Sequence, residues 1–283
     1  MTSSSLPRRR SADNISRENV RRGPARAQGD ARGAARLWPG AALRSVIGVV
    51  AAALRTALAF AVLAAGAFVG LMVGYPLARV RRSPAPLYRV ARVALTAAVR
   101  LVGIAMATEG RERLGDPRNV LIVANHASHL DGPLLLLALG TDFTVMLKAE
   151  IYALAPLRPL ARAAGFIGVD RADARSRADA LSAATAALAA GQCLLVFPEG
   201  RRSRDGRLGE LKKGVFAAAV AARSRVVPVA IVGTRDLLPP GRAWVRAGRV
   251  EIRVLDAIEA DGLDRDALTE RVRAALSAAL PSA

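Results

Sequence analysis

Two residues five positions apart, His126 and Asp131, define the chemistry open to this chain; they lie in the stretch Asn119 to Pro133, NVLIVANHASHLDGP. An imidazole is the side chain best suited to take a proton from a hydroxyl near neutral pH. A carboxylate bonded to one ring nitrogen fixes the tautomer and leaves the other nitrogen free for that task. On a regular helix, five positions place two side chains roughly 140° apart and out of contact. A turn must therefore bring this pair together. Without other support, a histidine near an aspartate at a helix start reads as a capping arrangement.

The surrounding residues supply the turn. Val120 to Ala124 is apolar and rich in β-branched residues, as in a buried strand; it stops at Asn125, and Asp131 with Pro133 behind it opens a helix. His126 then sits between strand and helix, where side chains are presented rather than buried. From Thr108 onward the same alternation continues. Strands are expected at Val120 to Ala124, Phe143 to Leu147, Phe166 to Val169, Cys193 to Phe197, Val226 to Val232 and Val250 to Leu255, with one-sided apolar helices between them. This predicts an α/β fold, a mostly parallel sheet flanked by helices. In such sheets, loops and helix amino termini converge at the carboxyl ends of strands, where His126, Arg171 and Glu199 all fall.

The histidine is accompanied by three further signatures in a fixed order. After Asn125-His126-Ala127-Ser128-His129-Leu130-Asp131 come GFIGVDR (Gly165 to Arg171), FPEGRRS (Phe197 to Ser203) and Val227-Pro228-Val229-Ala230-Ile231. Over roughly Thr108 to Thr234 this set resembles the glycerolipid acyltransferase family, with its NHxxxxD and FPEGTRS motifs. Arg201 stands where that family usually has Thr. The resemblance implies a glycerol-3-phosphate acyltransferase-like domain, with His126 as general base and Asp131 as its orienting partner. It also implies a phosphate-bearing acceptor, gripped by Arg171 and Arg202 through the paired hydrogen bonds a guanidinium makes. Lys148, just past another strand end, is a further candidate. Gly200 allows close backbone approach, and the Glu199 carboxylate is placed to orient an arginine or bind a glycerol hydroxyl. The acyl donor would be a fatty acyl thioester of coenzyme A or acyl carrier protein, with no other cofactor and no metal. Direct attack by the acceptor hydroxyl is favoured over a covalent intermediate, although Ser128 lies beside the histidine. Oxyanion donors are expected among backbone N–H groups near the turn.

Ahead of this domain the composition changes. Ten arginines against three acids between Met1 and Arg44, with no apolar periodicity, read as a disordered Arg-rich tail (1–44). Residues 45–107 read as a membrane-anchoring helical region: Thr56 to Ala78 holds no charge and is long enough to match a hydrocarbon layer, while Leu87 to Ala107 is amphipathic and suited to the interface. The acyltransferase domain takes 108–283. Arginines flank the apolar segment on both sides, so charge bias gives no orientation. Balanced flanks fit an anchor that enters one leaflet and returns, as related acyltransferases are thought to do. The expected location is the cell membrane, with the catalytic domain on the cytoplasmic side.

The excess of 42 basic over 23 acidic residues points to an anionic partner: a membrane surface, nucleic acid or an acidic carrier protein. A membrane surface and a phosphorylated lysolipid satisfy it. A membrane-tethered nucleic-acid binder is the competing class, but few aromatics and no nucleic-acid motif stand against it. Within the enzyme class, the leading acceptor is 1-acylglycerol 3-phosphate, acylated at the sn-2 hydroxyl to give phosphatidic acid. A lyso-ornithine lipid is the alternative, because Arg201 alters the acceptor motif. Cys193 is the single cysteine, which excludes an intrachain disulfide and a Cys-rich zinc site.

Overall fold

A computed structural model describes residues 39–155 and 157–281. Most of the Arg-rich segment, Met1 to Trp38, lies outside them. Arg44–Ala283 forms one compact unit that holds every candidate site residue.

The chain opens with helix α1 (Pro39–Val69), a single π turn (Gly70–Gly74) and α2 (Tyr75–Arg81), then reverses into α3 (Ala85–Val102). Val46–Arg81 is long and apolar enough to cross a membrane. Its partner in the structure is α3. A Cβ at Gly66 would meet the Ala94 methyl at 2.4 Å, and one at Gly74 would meet Leu87 at 3.0 Å, so the two glycines let the helices approach face to face. Within α1, the buried Thr56 hydroxyl accepts a hydrogen bond from the Val245 amide at 2.9 Å. The expected interfacial helix at Leu87 to Ala107 is corrected in two respects. It ends at Val102, where Gly103 takes φ of 77°, and Leu87, Tyr88, Ala94, Ala98 and Val102 are buried instead of facing lipid. Its apolar stripe is consumed by packing on the domain, and the Tyr88 hydroxyl is anchored on the Phe143 carbonyl at 2.6 Å.

The rest alternates. In order come β1 (Ile104–Glu109), β2 (Val120–Ala124), α4 (Asp131–Leu139), β3 (Thr144–Lys148), α5 (Ala149–Tyr152), α6 (Arg158–Ala163), β4 (Ile167–Val169), α7 (Ala174–Ala189) and β5 (Cys193–Val196). They are followed by α8 (Gly214–Ala221), β6 (Arg225–Val232), α9 (Thr234–Leu237), β7 (Gly248–Val254), β8 (Ile258–Glu259) and α10 (Arg265–Ala279). The sheet order is β1-β7-β6-β2-β5-β3-β4, with β8 on β6. β6, β2, β5, β3 and β4 are parallel, and the sheet becomes antiparallel only between β6 and its neighbours β7 and β8. β1, read in the sequence as the tail of a helix, pairs in parallel with β7.

Alternation along β2 divides the core. Val120, Ile122 and Ala124 face a layer that includes α4, part of α3 and Ala59 of α1. Leu121 and Val123 face α7, α8 and α10. Five residues of a strand that is buried on both faces give the turn carrying His126 a rigid base.

Candidate active site

β2 ends at Ala124, and Asn125 locks that end in place. Its buried side chain accepts from the Ile231 amide at 2.7 Å and donates to the Ile231 carbonyl at 2.9 Å, coupling β2 to β6. The next residue is His126. Its Nδ1 lies 2.8 Å from Asp131 Oδ2, and the aspartate side chain is fully buried while the imidazole remains 18% exposed. The same oxygen accepts the amides of Ala127 and Ser128, each at 2.8 Å. A carboxylate acceptor puts the proton on Nδ1 and leaves Nε2 as the basic nitrogen. Phe197 stacks on the imidazole, centroids 4.2 Å apart and rings inclined by 20°.

The FPEG loop is tied to this turn. Glu199 is 7% exposed; its Oε1 accepts the His126 amide at 2.7 Å and its Oε2 the Gly209 amide at 3.0 Å. Burial pushes the Glu199 carboxyl above the ordinary glutamate range, and the two amides oppose that shift. Beyond the expected contact with an arginine or substrate, Glu199 has a structural part: each of its oxygens accepts a backbone amide, and together these fix the two loops. The Ser203 amide donates to the His126 carbonyl at 2.7 Å, a third tie.

The arginines and Lys148 gather along the same strand ends. Arg171, after β4, donates to the Gly200 carbonyl and so joins the second motif to the third. Arg202 lies close enough to His129 for its charge to lower that imidazole's pKa, an effect second to burial. Lys148, at the end of β3, pairs with Glu150 at 2.7 Å, both side chains being exposed. Ser128 has another role than nucleophile. It is buried, and its hydroxyl donates to the Leu238 carbonyl at 2.8 Å.

The expected oxyanion donors, backbone N–H groups near the turn, divide into engaged and free ones. The amides of His126, Ala127 and Ser128 are all engaged by carboxylates, because folding the turn requires them. Among the described residues, the amides of His129 in the turn and of Arg201 and Arg202 in the neighbouring loop have no hydrogen-bond acceptor. No group of three or more metal-ligating side chains occurs among the described residues. Sequence reasoning missed the anchoring roles of Asn125, Glu199 and the Leu238 carbonyl. Apart from Gly209, ten positions from Glu199, their partners lie 73 to 110 positions away, and no local pattern encodes such a contact.

Comparison with known proteins places this geometry among relatives. Residues 105–232 match the family model described as Acyltransferase. The chain is 32% identical over 170 residues to a chloroplastic 1-acyl-sn-glycerol-3-phosphate acyltransferase of Arabidopsis thaliana, covering 60% of this chain and 47% of the plant protein. It is 27% identical over 209 residues to 1-acyl-sn-glycerol-3-phosphate acyltransferase alpha of Ovis aries, covering 71% and 72% of the two. The chain thus spans about half the length of the plant and algal relatives it matches. The crystal structure of the 1-acyl-sn-glycerophosphate (LPA) acyltransferase PlsC from Thermotoga maritima superposes with a TM-score of 0.72 at 25% identity, covering 83% of this chain and 95% of that one.

Proposed function

We propose that this chain, which matches the Acyltransferase family model over residues 105–232, is a glycerolipid acyltransferase that transfers a fatty acyl group from acyl-CoA or acyl carrier protein to the sn-2 hydroxyl of 1-acylglycerol 3-phosphate, giving phosphatidic acid. The observation that carries the reading is the His126 Nδ1 to Asp131 Oδ2 contact of 2.8 Å at the carboxyl end of β2. With Nδ1 held, Nε2 takes the acceptor proton as the hydroxyl oxygen bonds to the thioester carbonyl carbon. The carbonyl electron pair moves to oxygen, and the unengaged amides of His129, Arg201 and Arg202 are the candidate donors to it. Collapse of the adduct breaks the carbon–sulfur bond, and the imidazolium returns its proton to the departing thiolate. Arg171 and Arg202 take the acceptor phosphate, with Lys148 at the edge of the same rim.

The helical hairpin supports membrane attachment. Val46, Ile47, Leu58, Phe60, Phe68 and Met72 are exposed on α1 and the π turn. Contacts of Thr56 with Val245 and of Gly74 with Leu87 hold the stretch between them against the folded chain, which supports an anchor that lies along one leaflet. The same face brings the site to a cytoplasmic membrane surface, where lysolipid and thioester meet.

The test offers purified protein a panel of lysolipids, including lysophosphatidic acid and lyso-ornithine lipid, with acyl-CoA and acyl carrier protein, and identifies products by mass. Phosphatidic acid formation that disappears in His126→Ala supports the reading. Equal turnover by the variant ends it, and acylation of the lyso-ornithine lipid alone replaces the acceptor.

A further inference from the structure

The opposite end of the sheet carries a second cluster of arginines that the proposed reaction does not use. A cavity of about 440 Å³ is lined by Arg79 and Arg82 at the end of α2, Ser83 and Pro84 in the reversal, and Arg162 on α6. It shares Pro84 and Ala163 with a neighbouring cavity that reaches Thr144 and Cys193, the first residues of β3 and β5. His126 and its partners follow the other ends of the parallel strands. All three arginines are exposed, and none pairs with a carboxylate among the described residues. No acidic residue lines the cavity. Arg82 is held at φ of 48°, a conformation that few residues other than glycine adopt, as the left-handed cap of α2.

Exposed apolar side chains flank these arginines in the sequence. Leu77 and Val80 of α2 are 37% and 80% exposed, and Leu154 and Leu157 before α6 are 51% and 37% exposed. They continue the apolar face of α1. Three unpaired guanidiniums with such apolar neighbours in the sequence match one ligand chemistry, a phosphate carried on acyl chains. We propose that Arg79, Arg82 and Arg162 form a binding site for the phosphate of an anionic phospholipid, separate from the acceptor site. Thr56, docked at Val245 near the catalytic edge, and Arg79 are 23 positions apart on nearly continuous helix, about 35 Å at ~1.5 Å per residue. A lipid phosphate held at the far end fixes the apolar helix parallel to the surface and thereby the pitch of the catalytic mouth. This inference rests on membrane attachment and is independent of the acyltransfer reading.

The full-length protein carrying His126→Ala, which removes turnover from the assay, is sedimented with phosphatidylcholine vesicles with and without phosphatidylglycerol. The triple variant Arg79→Gln, Arg82→Asn, Arg162→Gln is compared with a control, Arg175→Gln, Arg223→Asn, Arg271→Gln. The control removes equal charge from exposed sites elsewhere, including one that also sits at φ of 48°. The expected result is a loss on the order of a hundredfold in affinity for the anionic vesicles in the pocket variant alone. Arg162→Gln by itself, outside the hairpin, should show part of that loss with an unchanged melting temperature. Equal losses in the two triples, or none in the pocket variant, would overturn the site. Stabilisation of the parent but not of the pocket variant by inorganic phosphate without vesicles would reassign it to a soluble ligand and overturn the lipid assignment.

Discussion

Asp131 Oδ2 accepts three hydrogens at 2.8 Å, from His126 Nδ1 and from the amides of Ala127 and Ser128. One oxygen therefore sets both the shape of the turn and the tautomer of the base. Asp131→Asn keeps an oxygen of the same size but removes the charge that favours a protonated imidazole during transfer. We expect kcat for acyl transfer to fall by ~10²–10⁴-fold. The fall should appear in single-turnover kinetics at saturating acceptor, and a change within twofold would deny the pair its role.

Ser128 separates direct transfer from a covalent route. Its buried hydroxyl is spent on the Leu238 carbonyl, 110 positions away. Ser128→Ala should retain turnover while losing about 1–3 kcal/mol of stability from the unsatisfied carbonyl, read by urea denaturation. An acyl adduct on Ser128 in intact-protein mass spectra, or loss of activity in a variant that is still folded, would reverse the assignment.

Glu199 couples the two loops through burial, and this makes stability depend on pH. Its carboxyl is raised chiefly by burial, so folding favours the protonated form. Stability from that preference is present in full below the ordinary glutamate value of about 4.3 and is lost as pH rises through the raised value. Glu199→Gln does not titrate there. The stability advantage of the parent over this variant should therefore narrow as pH climbs through the window. Near neutral pH a gap of about 1–3 kcal/mol should remain, because the Gln amide group turns an N–H toward a backbone N–H. Urea midpoints across the pH series check both statements, and an advantage that widens with pH would refute the first.

The sequence carried the strand positions and the pairing of His126 with Asp131 because both depend on local periodicity and turn chemistry. β2 matches its expected bounds, and five further strands fall within two residues of theirs at each end. β1 was invisible for a physical reason. The apolar spacing of α3 runs on into Ile104 and Met106, and only the long-range ladder with β7 makes those residues a strand. Gly103, which caps the helix in the left-handed conformation, was the one local signal of the break. The ties from Asn125 to Ile231 and from His126 to Glu199 likewise exist only after the sheet has assembled.

Arg202 and His129 provide a spectroscopic reading of the acceptor rim. The His129 pKa is lowered first by burial and then by the Arg202 charge, with a smaller contribution from His126. Arg202→Gln should move the His129 titration, followed by imidazole NMR, back toward its ordinary value. The same variant should raise KM for a phosphate-bearing acceptor more than it lowers kcat, since a phosphate grip is made in the ground state as well. A His129 titration that does not respond would place Arg202 away from the dyad and from the phosphate.

The hairpin offers the sharpest packing test. A Cβ at Gly66 would lie 2.4 Å from the Ala94 Cβ, closer than two methyl groups can stand. Gly66→Ala must push α1 from α3, while α3 is fixed to the domain by the Tyr88 hydroxyl and by the Arg92 to Asp142 ion pair at 2.6 Å. Helix propensity alone favours alanine here by about 1 kcal/mol, so a net loss isolates the steric term. We expect Gly66→Ala to lower the melting temperature in detergent and Ala94→Gly, added to it, to restore most of the loss. A stabilising Gly66→Ala, or a double variant no better than the single, would show that the two helices do not pack at this point and would remove the basis for an apolar helix lying along the domain.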